Sequence, residues 1–172
     1  MASILKVDQL QKPDGSTPTA ADLGLDVAGS VVQVKRHEWT DNVYYNNDNT
    51  YVTATGSTFS FTPKYASSLL LIQASVSLNI YQNNNYAGAN MKIVHDGTAI
   101  SYQWTAHEDY IYVLQATPID YYSRLAKDAV VNASSTSARD ISVQIAPYAA
   151  SEVQINQGNN FSSTITVYEI AQ

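Results

Sequence analysis

Leu69-Leu70-Leu71-Ile72-Gln73-Ala74-Ser75-Val76-Ser77-Leu78-Asn79-Ile80 decides the fold. Leu70, Ile72, Ala74, Val76, Leu78 and Ile80 fall on even positions, and Gln73, Ser75, Ser77 and Asn79 on odd ones. Successive side chains of a strand point to opposite faces, so this spacing predicts a long strand with one buried and one polar face. Residues 30–39 read as a further strand, with Val32, Val34 and Arg36 on one face. Residues 57–62 place Phe59 and Phe61 together before Pro63 ends the segment. Residues 90–94 and 98–104 flank Asp96-Gly97, a pair suited to a type I′ hairpin. Residues 109–117, the alternations Ile141/Val143/Ile145 and Val153/Ile155, and residues 164–170 complete the series. Residues 82–86 and 157–160 read as turns, 41–50 and 132–138 as loops, and 119–131 fit either a short helix or a strand pair. About eight to ten short strands between turn signals predict an all-β fold, an antiparallel β-sandwich or jelly roll.

Residues 1–29 have a different character. They hold Pro13, Pro18, the Asp14-Gly15 pair and thinly spread apolar residues. Such a stretch cannot bury enough surface to fold alone, and its breakers forbid a long helix or strand. The expected division is an extended arm over 1–29 and a β head over 30–172, the latter large enough for a real core. The chain lacks cysteine, so disulfides and thiolate zinc sites are excluded, which fits synthesis in a reducing cytosol. No basic stretch leads into an apolar one after Met1, so no signal peptide is readable. The longest apolar run, 69–72, is far too short for membrane insertion.

Charged residues make up only 14%, the net charge is -6, and the 9 Lys and Arg form no basic cluster, which argues against nucleic acid as a partner. Tyrosine, at 13 against 3 Phe and 2 Trp, suits half-buried strand faces with the hydroxyl outward. A broad, neutral, wettable surface of this kind serves subunit contacts or sugar contacts.

No constellation argues for catalysis. His37, His95 and His107 show no metal spacing, and loop or hairpin histidines are the default reading. Asp41, Asn46, Asn47, Asp48 and Asn49 offer oxygens, yet lack the order, glycine and distal glutamate of a calcium loop. There is no nucleophile elbow, and Gly56-Ser57-Thr58 lacks the lysine and helix of a phosphate loop. The chain therefore reads as non-enzymatic, without cofactor or metal. The aromatic residues carry more. Trp39, Tyr44, Tyr45 and Tyr51 lie in or beside one loop, Tyr81, Tyr86, Tyr102 and Trp104 lie near another turn and its hairpin, and Tyr121-Tyr122 are adjacent. Aromatic faces beside Asn, Gln and Asp are what neutral sugars need, so Trp39, Tyr44, Tyr45, Tyr86 and Trp104 are candidate glycan contacts. Cross-strand packing and subunit contact use the same residues.

Several short segments occur in a telling order: Met1-Ala2-Ser3, Leu5-Lys6-Val7-Asp8, Gln11-Lys12-Pro13-Asp14-Gly15 and Gly29-Ser30-Val31-Val32-Gln33. Phe61-Thr62-Pro63-Lys64 follows before the long strand, and Thr164-Ile165-Thr166-Val167-Tyr168-Glu169-Ile170-Ala171-Gln172 closes the chain. Together they resemble a family of small bacteriophage virion proteins of the tail-fibre-like or structural kind. The resemblance implies a virion component, made in the bacterial cytoplasm, with a β-sandwich or jelly-roll head, a homotrimeric assembly and an anchoring arm. It supplies no catalytic residues. Within the arm it makes Ile4, Val7 and Leu10 candidate virion-anchoring residues; their i, i+3, i+6 spacing lets one short helical turn present them together. The expected partners are other virion proteins, of the tail or the capsid, and a host surface glycan. Two rival readings stay open: a capsid decoration or cement protein, and a soluble carbohydrate-binding module.

Overall fold

The structure, a computed structural model, describes residues 11–18, 22–23, 28–46, 49–82, 86–100, 110–114, 119–148, 152–158 and 161–172. Every regular element among them is a strand. In chain order these are β1 (Val31–Trp39), β2 (Val43–Tyr45), β3 (Val52–Thr53), β4 (Phe59–Phe61), β5 (Leu69–Gln82), β6 (Tyr86–His95), β7 (Thr98–Ala99), β8 (Tyr110–Leu114), β9 (Ile119–Asn132), β10 (Arg139–Tyr148), β11 (Glu152–Ile155) and β12 (Ser163–Ile170). All pairings are antiparallel and form two sheets.

Several of the strands are halves of one row. β12 and β11 pair in succession along the same side of β5, and β1 and β2 pair in succession along β12 and β11. β4 and β3 do the same on β10, as do β7 and β8 on β6. Merging these halves leaves eight rows in chain order. One sheet runs first, eighth, third, sixth: β1/β2, β11/β12, β5, β9. The other runs second, seventh, fourth, fifth: β3/β4, β10, β6, β7/β8. Two interleaved four-row sheets in this order are a jelly roll.

The even positions of β5, from Leu70 to Ile80, all lie in the core, as the alternation predicts. They meet Met91, Ile93, Ile141, Val143 and Ile145 of the opposite sheet in one hydrophobic cluster. The 119–131 segment is a single strand rather than a helix or strand pair, because all fourteen residues of β9 find a partner on β5. The 41–50 loop contains the short strand β2, held by β11. Asp96 and Gly97 both have positive φ, at 49° and 75°, as the expected I′ hairpin requires.

Strand β1 places Val34 and Arg36 on one face, and that face is the outer one. Val34 and Arg36 point to solvent, and Gln33, Lys35, His37 and Trp39 face inward opposite Glu169, Val167, Ile165 and Ser163. A register shift between Val31 and Gln33 lets the polar parity turn inward. Within the inward set, Lys35 and His37 find partners. His37 stacks on Phe59 with ring centroids 5.0 Å apart and its Nε2 lies 2.7 Å from Gly56 O, and Lys35 Nζ donates to Ser60 O at 2.7 Å.

Where a row is interrupted, side chains take over the ladder. Ser57 Oγ accepts from Val143 N at 3.2 Å and donates to Val143 O at 3.3 Å, in the gap between β3 and β4. Ser163 Oγ accepts from Ser77 N at 3.0 Å, at the gap between β11 and β12. Gly56 closes the first gap at φ 78°, and a Cβ there would stand 2.0 Å from Asp41 Oδ2. Gly56→Ala is therefore expected to destabilise by about 1–2 kcal/mol, since both backbone and neighbour must shift. Chemical denaturation checks this, and an unchanged midpoint contradicts it.

Glu169 is fully buried on the inward face of β12. Its carboxylate accepts from Lys64 N and Tyr65 N at 2.9 Å and from Gln33 Nε2 at 2.6 Å, and Gln33 Nε2 also donates to Thr62 O at 2.8 Å. Burial pushes the Glu169 pKa up, but these hydrogen bonds, led by the Lys64 and Tyr65 amides, outweigh it and hold the pKa below the ordinary 4.5. One carboxylate thus ties the corner between β4 and β5 to β1 and β12.

Candidate functional site

The outer face of the β5 sheet has two ends of different chemistry. Around Leu69 it is apolar: Val31, Val34 and Val130 are exposed, and Leu71, Tyr168 and Ile170 are half-buried beside them. Around Tyr81 it is polar and rimmed by tyrosine. Strand registers fix the layout there. One row across the sheet reads Tyr44, Gln154, Asn79, Tyr122, and the next reads Glu152, Tyr81, Asp120. Alternation sends these side chains outward because their neighbours Val153, Ile155, Leu78 and Ile80 are drawn into the core.

Two depressions lie on this end. One, of ≈ 250 Å³, is lined by Tyr44, Asn79, Tyr81, Asp120, Glu152, Gln154 and Gln157. The other, of ≈ 220 Å³, adjoins it at Gln157 and is lined by Ser77, Tyr122, Arg124 and Phe161. Arg124 roofs the floor between β9 and β12, donating to Ser75 Oγ at 3.2 Å, Ser77 Oγ at 2.8 Å and Ser162 O at 3.0 Å.

The floor of the first depression has an uncommon polarity. Asn79 and Gln154 are each 4% exposed. Asn79 Nδ2 donates to Asp120 Oδ1 at 3.1 Å, and Gln154 Nε2 donates to Asn42 Oδ1 at 2.5 Å. The Asp120 carboxylate can only accept, so it fixes which way the Asn79 amide turns. The opposite atoms, Asn79 Oδ1 and Gln154 Oε1, are buried without a hydrogen-bond partner among the described residues, as is Gln157 Oε1. A buried acceptor left unpaired costs about 1–3 kcal/mol, and native proteins carry few of them. Three lie together beneath one ring of tyrosines.

The sequence candidates divide. Tyr44 belongs to this face and is 60% exposed. Trp39 and Tyr45 do not offer ring faces to a glycan: they are 4% and 6% exposed and belong to the core cluster. Both sit on inward strand parity, and the Tyr45 hydroxyl is spent on the Thr55 amide at 2.9 Å. Tyr86 is placed by its backbone in β6, opposite Leu114, and its side chain lies outside the described residues. Trp104, His107, Asn47 and Asp48, and the arm residues Ile4, Val7 and Leu10, also lie outside them. His95 is buried at the shoulder of the Asp96-Gly97 turn, and among the described residues no group of His, Asp and Glu is arranged for a metal. The residues the sequence did not single out are Asn79, Asp120, Glu152, Gln154 and Gln157. For Asn79, Glu152 and Gln154 the signal was a polar side chain at the outward parity of a strand whose other face is aliphatic.

No protein-family model and no curated protein matches the chain at a significant level. Among solved structures it is similar to a chain in the structure of infectious bursal disease virus Gx strain, at 15% identity and TM-score 0.38, covering 81% of this chain and 38% of that one. It is also similar to the infectious bursal disease virus VP2 subviral particle, at 16% identity and TM-score 0.37, covering 83% of this chain and 38% of that one. The chain thus spans about two fifths of the length of the viral chains it matches.

Proposed function

We propose that this chain is a non-enzymatic structural protein of a bacteriophage virion, a short tail-fibre-like appendage held by its N-terminal arm, with the jelly-roll head displayed. One observation carries this reading. The head segments in which the sequence resembles such virion proteins, around Gln33, Thr62 to Lys64 and Glu169, are far apart in the chain and meet in the single hydrogen-bonded knot at Glu169. That these separated segments serve one buried structural feature supports the reading. The homotrimer is part of the proposal: Val31, Val34 and Val130 expose apolar surface beside half-buried Leu71, Tyr168 and Ile170, and a second copy covering it removes that liability.

Deleting residues 1–28 is expected to leave a folded head and to abolish incorporation into particles, read by blotting purified virions. Incorporation of the truncated protein overturns the anchoring role. Cryo-electron microscopy of the particle then gives the location, and density on the shell instead of the tail replaces the appendage with a cement protein. Val34→Lys is expected to keep the melting temperature of the head and to convert trimer to monomer by native mass spectrometry. A wild-type monomer at micromolar concentration overturns the assembly.

A further inference from the structure

We propose that the tyrosine-rimmed end of the β5 sheet binds an uncharged, hydroxyl-rich oligosaccharide, whose hydroxyl protons are accepted by Asn79 Oδ1, Gln154 Oε1 and Gln157 Oε1. The amide NH2 groups of Asn79 and Gln154 are already committed to Asp120 and Asn42, so what these two residues leave bare is acceptor. Their ligand must bring donors. Phosphate, sulfate and carboxylate groups bring acceptors and negative charge, and they meet Asp120 and Glu152 on either side of Tyr81. A simple ammonium also brings donors and is drawn to Asp120 and Glu152, so it is the rival that the spermidine control tests. A neutral saccharide brings a hydroxyl donor at nearly every carbon and C–H faces for the electron-rich faces of tyrosine rings. Tyr44 and Tyr122 stand three strands apart in one row, about 14 Å at the usual strand spacing, wider than a single sugar ring. A depression in which a few buried polar groups converge beside aromatic side chains is a usual form of a small-ligand site.

The assignment goes beyond the virion reading and survives its failure, since a soluble carbohydrate-binding protein would carry the same face. The full chain is screened on an array of neutral, amino and acidic oligosaccharides. Each hit is then titrated by calorimetry against wild type, Tyr122→Ala and Asn79→Leu, with spermidine and a sulfated oligosaccharide as charged controls. Neutral hits are expected, with Kd raised roughly tenfold or more in both variants. Tyr122 is 55% exposed, so Tyr122→Ala keeps the test open even where Asn79→Leu fails to fold. An empty array, hits confined to acidic glycans, binding of spermidine without any saccharide, or neutral hits of unchanged affinity in Tyr122→Ala each overturn the assignment. So does protection of Tyr122 from nitration in the free protein, which would place a second copy on the face.

Discussion

Glu169→Ala is expected to lower the unfolding free energy by about 4 kcal/mol and the melting temperature by roughly 10 °C. The variant leaves the Lys64 and Tyr65 amides and the Gln33 amide group facing a space that held their common acceptor. Each buried donor so stranded costs about 1–3 kcal/mol, and the lost side-chain volume adds to it. Glu169→Gln keeps the volume but turns an NH2 toward donors, so an intermediate loss of about 2–3 kcal/mol is expected. The pH dependence separates charge from packing. The folded pKa of Glu169 lies below its ordinary 4.5, so its ionic contribution is fully present above that value. It is lost as pH falls below 4.5 and through the folded value. The stability gap between wild type and Glu169→Gln should therefore narrow as pH falls from above 4.5 to below it in urea titrations. A gap that stays constant across that window shows that the carboxylate is not held ionised by the knot.

The second large effect belongs to Asn156, which fills the break between β11 and β12. It is fully buried, with φ 53°. Its Nδ2 donates to Trp39 O at 3.0 Å and Asp41 O at 3.3 Å, its Oδ1 accepts from Ser163 Oγ at 2.7 Å, and its backbone N donates to Ser77 O at 3.1 Å. Its side chain closes the gap toward β1 and β2, and its backbone amide keeps the pairing with β5. Asn156→Ala is expected to cost about 3–4 kcal/mol, part from orphaned carbonyls and part from placing alanine in the left-handed region. Asn156→Gly removes the second part and should be about 1 kcal/mol less damaging, since glycine accepts positive φ freely. Equal losses in the two variants would mean that the backbone conformation contributes nothing.

These two residues also mark where the sequence was legible and where it was not. The run from Leu70 to Ile80 could be read because a central strand buries one parity over its whole length. In β1 alternation groups Val34 and Arg36 on one face but does not say which face is inward. The strand carries a bulge and runs into a polar knot, so local pattern loses to the partner opposite. Glu169 could have been found: it continues the inward parity of Ile165 and Val167, and a charge on a core parity announces a buried network. Glycan candidates chosen for aromaticity alone split between core and surface, because parity, not ring type, decides exposure. The site floor was out of reach for a different reason. The amide orientations of Asn79 and Gln154 are set by Asp120 and Asn42, 41 and 112 residues away in the chain.

The join between Gly29 and the last strand has a geometrical consequence. Gly29 N donates to Ala171 O at 2.8 Å and Ala171 N to Ser30 O at 2.9 Å, so the chain enters the head at the Leu69 end of β5. The tyrosine rim lies at the Tyr81 end, twelve residues along the same strand and so about 40 Å away at the usual rise. Under the proposed anchoring by residues 1–29, the head would act as a lever arm. Its fulcrum and its tip would then sit at opposite ends of β5, with Tyr44, Tyr81 and Tyr122 at the tip.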